Sequence, residues 1–152
     1  MIEMGNQHIM VRTRAVIFDK KGKVLVQHHS RSDPDFYRLL GGGVKFREKV
    51  EDCIIREIRE EAGLDVRVDR LLWVRDFFDE SPYHSVELFF LATVVKGKFK
   101  PSPEAENIEL LFMSLEELEK LVFYPKAFIP KLKLLRDNRN WIEENPYVRS
   151  AN

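Results

Sequence analysis

Residues Gly42–Leu64 read GGVKFREKVEDCIIREIREEAGL, and the rest of the chain is best understood outward from them. The glycine cluster Gly41-Gly42-Gly43 ends an extended run where the backbone must bend or approach another group closely. A polar loop follows, then a helix with acidic residues in its first turn and Gly63 as its stop. At about 100° per residue, with Glu57 as origin, Val50 falls at ~20°, Glu61 at ~40°, Ile54 at ~60°, Ile58 at ~100° and Ala62 at ~140°. Glu60 falls at ~300°, on the other flank of Glu57. Glu57, Glu60 and Glu61 therefore share a face that merges with the apolar stripe. Carboxylates at the margin of a core repel one another and lose hydration, which is expensive when they are left unpaired. A hard divalent cation with oxygen ligands is the simplest remedy. A solvated acidic face with i, i+4 partners is the commoner use of a Glu-rich helix. It accounts poorly for Glu61 between Val50 and Ile54, and it leaves the three glycines unexplained.

These residues resemble the Nudix box, G-x5-E-x7-R-E-U-x-E-E-x-G-U, in which U is a bulky aliphatic residue. Gly42, Glu48, Arg56, Glu57, Ile58, Glu60, Glu61, Gly63 and Leu64 fill every fixed position at the required spacing. The resemblance implies a Nudix fold, an α+β chain arranged as an α/β/α sandwich with a mixed β-sheet between helices. Two neighbouring positions depart from the family pattern. Leu40 stands where proline is usual before the glycines, and Arg47 where glycine is common before the box glutamate.

Length and composition agree with one domain over 1–152, with a core over about 8–136 and a tail over 137–152. Lys and Arg number 25 against 25 Asp and Glu, so no general attraction to long nucleic acid or anionic membrane is implied. The single cysteine, Cys53, excludes an intrachain disulfide; it lies near the inner face of the helix and reads as a small buried hydrophobe. No apolar run is long enough for a membrane span, and the start lacks the order of a signal peptide, so a cytoplasmic protein is expected.

Along the chain, 8–19 reads as a strand, Lys20-Lys21-Gly22 as a turn and 23–29 as a second strand, together a hairpin. Arg12 and Arg14 alternate onto one face, either toward a ligand or into solvent. His28 and His29 are adjacent in a strand, so they point to opposite faces and do not suit one ion. After the turn-rich stretch 30–36, Tyr37-Arg38-Leu39-Leu40 leads into the glycines. The runs 65–79 and 84–95 are long and apolar, as in a sheet buried on both faces. Residues 100–107 form a loop and 108–113 a short strand. Ser114 caps a helix with Glu116 and Glu117 in its first turn, and a further helix covers 126–135. The tail packs as a short helix or takes part in a dimer contact.

What the resemblance implies chemically is metal-dependent hydrolysis of a pyrophosphate bond in a nucleoside diphosphate linked to another group. Mg²⁺, or Mn²⁺, would be held by Glu57 and Glu61 with Glu60 assisting, and by the Gly42 carbonyl. Glu106, in a family register of Glu106, Glu109, Phe112 and Ser114, is a further ligand or the base. The general base is Glu57, Glu60 or Glu106. Arg56 would pair with Glu48 to orient the box, and Gly63 would close the helix. Arg38 is a candidate for phosphate. Tyr37 and Phe78 are candidates for stacking on a base, with Phe77 and Tyr83 as alternatives. The family admits sugar nucleotides, ADP-ribose, dinucleoside polyphosphates, NTPs and capped RNA ends. No extra N-terminal domain of the kind carried by larger ADP-ribose hydrolases is evident, so the partner expected is a small nucleotide, with a homodimer possible by resemblance. The alternative is a Nudix domain that senses a nucleotide without cleaving it.

Overall fold

The computed structural model of the protein describes residues 8–78, 82–101 and 107–149. In chain order the described elements are β1 (Ile9–Val16), β2 (Val24–His29), β3 (Phe36–Leu39), β4 (Gly41–Gly43), α1 (Val50–Ala62), β5 (Leu64–Phe78), β6 (His84–Gly97), β7 (Ile108–Met113), α2 (Leu115–Leu118), β8 (Phe123–Tyr124), a 3₁₀ turn (Lys126–Phe128), α3 (Ile129–Asp137) and β9 (Tyr147–Val148). The box helix ends where its sequence says it should. Gly63 takes φ 69°, the left-handed cap that only glycine adopts without strain, and its N–H donates to the Arg59 carbonyl. Ser114 caps α2 through a reciprocal box with Glu117.

The strands form two sheets, in the orders β4-β1-β6-β5-β9 and β7-β2-β3-β8. The first is mixed, since β1 runs parallel to β6 and antiparallel to β4. The hairpin expected of the first two strands is present only at its base. Phe18 bridges Val24, the Asp19 N–H donates to the Lys23 carbonyl at 2.8 Å and the Leu25 N–H to the Ile17 carbonyl at 2.9 Å. Beyond it the strands diverge into different sheets, because both edges of β1 are occupied by β4 and β6.

Two cores result. One, around Trp73, Phe89 and Phe128, takes in Leu115 and Leu118 of α2 and Leu132 and Leu135 of α3. The other lies against α1 and joins Ile54 and Ile58 to Ile17, Leu25 and Leu110. Val16 belongs to the first core and Ala15 and Ile17 to the second, so the period-two alternation of β1 buries both faces. Helices thus cover opposite sides of the strands, as the Nudix fold requires. The tail adds a strand, not a helix: β9 runs parallel to β5, and Trp141 packs on the first core. Arg70 of β5 holds this segment by donating to the carbonyls of Arg139 and Trp141.

The two departures before the box have distinct structural answers. Leu40 is fully buried, and its carbonyl accepts from the Ala15 N–H at 2.8 Å, so packing and a ladder bond fix the turn that proline would stiffen. Arg47 sits at φ 65°, among the described residues the one non-glycine in the left-handed region. Its side chain is exposed beside Phe46 and gains little from the strain. Arg47→Gly should therefore stabilise the protein by about 1 kcal/mol, the cost of a left-handed L-residue. A urea midpoint shifted upward at unchanged m-value is the expected result.

Candidate functional site

Helix α1 brings two of its carboxylates together and leaves the third outside. Glu57 and Glu61 stand one turn apart, close enough to act on each other's charge, and both are partly withdrawn from water. Burial, first, and then the charge and hydrogen bond of Glu57 push the Glu61 carboxyl up to about 7. Two carboxylates so placed form a site that a cation would take over. Glu60 is exposed, with Arg56 Nη1 at 3.5 Å. Among the described residues no three His, Cys, Asp or Glu side chains converge to cage an ion unaided. Two carboxylates nevertheless fit Mg²⁺, which keeps several waters and is commonly bound by one or two carboxylates together with substrate phosphates. The Gly42 carbonyl accepts from Thr13 Oγ1 at 3.4 Å and from Cys53 Sγ at 3.7 Å. The bare Cα of Gly42 leaves room for Glu57. A Cβ there would lie 2.3 Å from Glu57 Oε1, so any side chain would displace the carboxylate.

Arg56 braces the loop against the helix. Its Nε donates to Glu48 Oε1 at 2.7 Å and its Nη2 to Glu48 Oε2 at 3.0 Å, while Nη1 donates to Glu57 Oε1 at 2.9 Å. These bonds, with the Lys45 N–H, hold the Glu48 carboxyl down at about 2. The fork of Arg56 thus sets the orientation of Glu57.

Beside the carboxylate pair lies a cationic cluster. Arg12 and Arg14 reach it from β1, Arg38 from β3 and Arg75 from β5, around one carboxylate, Glu87 of β6. Arg75 Nη2 donates to Glu87 Oε2 at 2.8 Å, and Arg14 Nη2 stands 3.5 Å from Glu87 Oε1. Arg14 is 5% exposed, which excludes a solvated role for it. Burial, then the fields of Arg14 and Arg12, bring Arg38 down to about 10. His29 falls to about 4 through burial and then the charges of Arg38 and Arg14, so its ring is neutral. The Nε atoms of Arg12 and Arg75 are buried with no hydrogen-bond partner among the described residues. An excess of guanidinium charge with spare donors is a setting for an anion.

Gln27 of β2 joins the two halves. It accepts from Arg38 Nε at 3.1 Å and donates to Glu61 Oε2 at 3.4 Å. Neither Gln27 nor Glu87 stands out in the sequence, and only strand register brings them here. Of the aromatic candidates, Tyr37 faces away from Arg38, stacked on His28 and packed toward the first core. Phe78 is exposed beside His84. Phe77, under the Arg75 guanidinium at 5.0 Å and edge-on to Tyr83, is nearer the cluster. Cys53 is buried, and burial raises its thiol, so it is a packing residue with Sγ 3.5 Å from the Gly43 carbonyl. Glu106 lies outside the described residues. No helix among them is long and apolar enough to cross a membrane.

Comparisons with known proteins agree with this geometry. A model of the NUDIX domain matches residues 8–132. An ADP-ribose pyrophosphatase of Methanocaldococcus jannaschii is 32% identical over 82% of this chain and 70% of its own length. An NAD-capped RNA hydrolase, NudC, of Pseudomonas aeruginosa is 33% identical over 70% of this chain, but that match spans only 37% of NudC. The crystal structure of an ADP-ribose pyrophosphatase from Streptococcus suis superposes with a TM-score of 0.67 at 26% identity, covering 94% of this chain and all of that one. With the complete box on a helix flanked by two sheets, and these likenesses over most of its length, the chain belongs to the Nudix family of hydrolases.

Proposed function

We propose that the protein hydrolyses the pyrophosphate bond of a small nucleoside diphosphate derivative, with ADP-ribose the leading substrate. The observation that carries this reading is the placement of the Glu57–Glu61 pair directly beside the arginine cluster. Similarity to proteins described as ADP-ribose pyrophosphatases directs the choice of substrate. Glu57 and Glu61, with the Gly42 carbonyl, would hold Mg²⁺ or Mn²⁺. When bound, such a cation neutralises phosphate oxygens and lowers the pKa of water.

The chain's own groups divide the remaining work. Arg38, with Arg12 and Arg75, binds and orients the pyrophosphate through the charge of the cluster. Arg56 fixes Glu57. Of the carboxylates considered for the base, Glu60 is water-accessible and only loosely paired, which suits it to take a proton from the attacking water. The oxygen of that water bonds to phosphorus, the bridging P–O bond breaks, and ADP-ribose yields AMP and ribose 5-phosphate.

The direct test is incubation with ADP-ribose, sugar nucleotides, dinucleoside polyphosphates and NTPs, in Mg²⁺ and in chelator. Mg²⁺-dependent AMP from ADP-ribose is expected; tight ADP-ribose binding with no cleavage of any substrate would instead identify a nucleotide sensor. Glu60→Gln should lower kcat by about a hundredfold or more, the usual contribution of a positioned base, with Mn²⁺ affinity retained. A variant of normal kcat would remove Glu60 from proton transfer.

Glu61 also predicts a pH dependence in the metal-free protein. Its folded value, about 7, lies above the ordinary 4.5, so between these limits the native state holds a proton that the unfolded chain releases. The stability this group contributes is complete below about pH 4.5 and is lost as pH rises through about 7. In chelator, Glu61→Gln should gain stability relative to the parent across that window and should nearly abolish turnover in Mg²⁺. Urea midpoints of the two proteins that run parallel in pH would contradict it.

A further inference from the structure

Gln27 occupies a slot where an apolar side chain would be expected. It is 5% exposed, on the face of β2 that carries Leu25, and its register partners are Arg38 and Leu110. A buried amide is costly unless its hydrogen bonds are made, so its presence calls for specific partners. Those partners fix its orientation. Arg38 has only donors, so the Gln27 oxygen must face it, at 3.1 Å. The neutral His29 ring lies 3.3 Å from the same oxygen and presents its N–H there. The amide nitrogen is left directed at Glu61 Oε2, 3.4 Å away.

We propose that Gln27 is a positioning residue that locks the Glu61 carboxylate to the Arg38 guanidinium. The proposal rests on the reading of Glu57 and Glu61 as the cation-holding pair. A substrate pyrophosphate must meet oxygens organised by that pair and donors of the arginine cluster at once, so the spacing between the two sets matters as much as either. Gln27 is the one described side chain bonded to both. Hydrogen-bond partners behind a metal-holding carboxylate set its rotamer and basicity.

Two variants test it. Gln27→Met keeps the volume and removes both bonds; Gln27→Asn keeps the amide on a stem too short to span both partners. Mn²⁺ affinity without nucleotide, by electron paramagnetic resonance of the free ion, and kcat and KM for ADP-ribose are measured on each. Both should fold as the parent does, judged by cooperative urea unfolding. Each should bind Mn²⁺ about tenfold more weakly or worse, and lose about ten- to a hundredfold in kcat, as for other outer partners of metal ligands. Because Gln27 is argued to act between Arg38 and Glu61, the kcat losses of Gln27→Met and Arg38→Met should combine to less than their product. Mn²⁺ affinity and kcat within twofold of the parent in Gln27→Met, or a fully multiplicative double variant, would overturn the assignment. Should the parent bind Mn²⁺ yet cleave no nucleotide, the hydrolase reading fails, and the Mn²⁺ affinities of the variants still decide the role of Gln27.

Discussion

Glu57 and Glu61 stand one helical turn apart, in surroundings that deprive Glu61 of much of its water. Burial, and then the charge of Glu57, raise the proton affinity of Glu61. A helix under selection for stability alone would not keep such a pair. The elements around it are what make it tolerable. Ile54 and Ile58 anchor α1 to the second core, so the helix cannot roll to expose Glu61. Gly42 withholds a side chain where Glu57 needs room. The fork of Arg56 spans Glu48 and Glu57, tying a loop residue to the helix with bonds short enough to hold both.

The cationic cluster opposes this pair with a complementary tension. Guanidinium groups crowd around the single carboxylate of Glu87, and the depressed proton affinities of Arg14 and Arg38 record the cost of burial. Because Arg12, Arg14, Arg38 and Arg75 all project from strands of paired register, they cannot separate to relieve it. On the proposed function, a pyrophosphate would supply the missing negative charge, and a divalent cation the missing positive charge beside the carboxylates. Each half of the site is electrostatically incomplete, and a metal-bound nucleoside diphosphate would complete both, with the binding geometry prepaid by folding.

The box was legible because its information is local. Spacing along one helix and a glycine stop are properties of consecutive residues, and the structure places α1 and its left-handed Gly63 cap where they predict. The same local logic accounts for glycine being common where Arg47 stands: the backbone there is left-handed. The opposed faces of Tyr37 and Arg38 were equally available from strand alternation, and they put Tyr37 toward the core rather than beside Arg38. The division into two sheets was not available, because it depends on β6, whose residues lie 75 positions further along the chain, taking the free edge of β1 (Ile9 opposite His84). Arg14, Gln27 and Glu87 follow from that pairing. Each is an ordinary strand residue in sequence and becomes a buried polar group only once the sheets are assembled.

Helical spacing alone treats Glu57, Glu60 and Glu61 as one set, since i, i+3 and i+4 share a face. Tertiary surroundings separate them. Glu61 turns toward Gln27 and the sheets, Glu57 is held between Glu61 and Arg56, and Glu60 remains in water. Identical side chains on adjacent turns thereby acquire different partners and different access to solvent, which is the condition for dividing cation holding from proton transfer. The division costs the chain no change of residue type. It follows from rotating a short acidic segment so that its boundary with water passes between Glu60 and Glu61, and the apolar residues Ile54, Ile58 and Ala62 set that rotation.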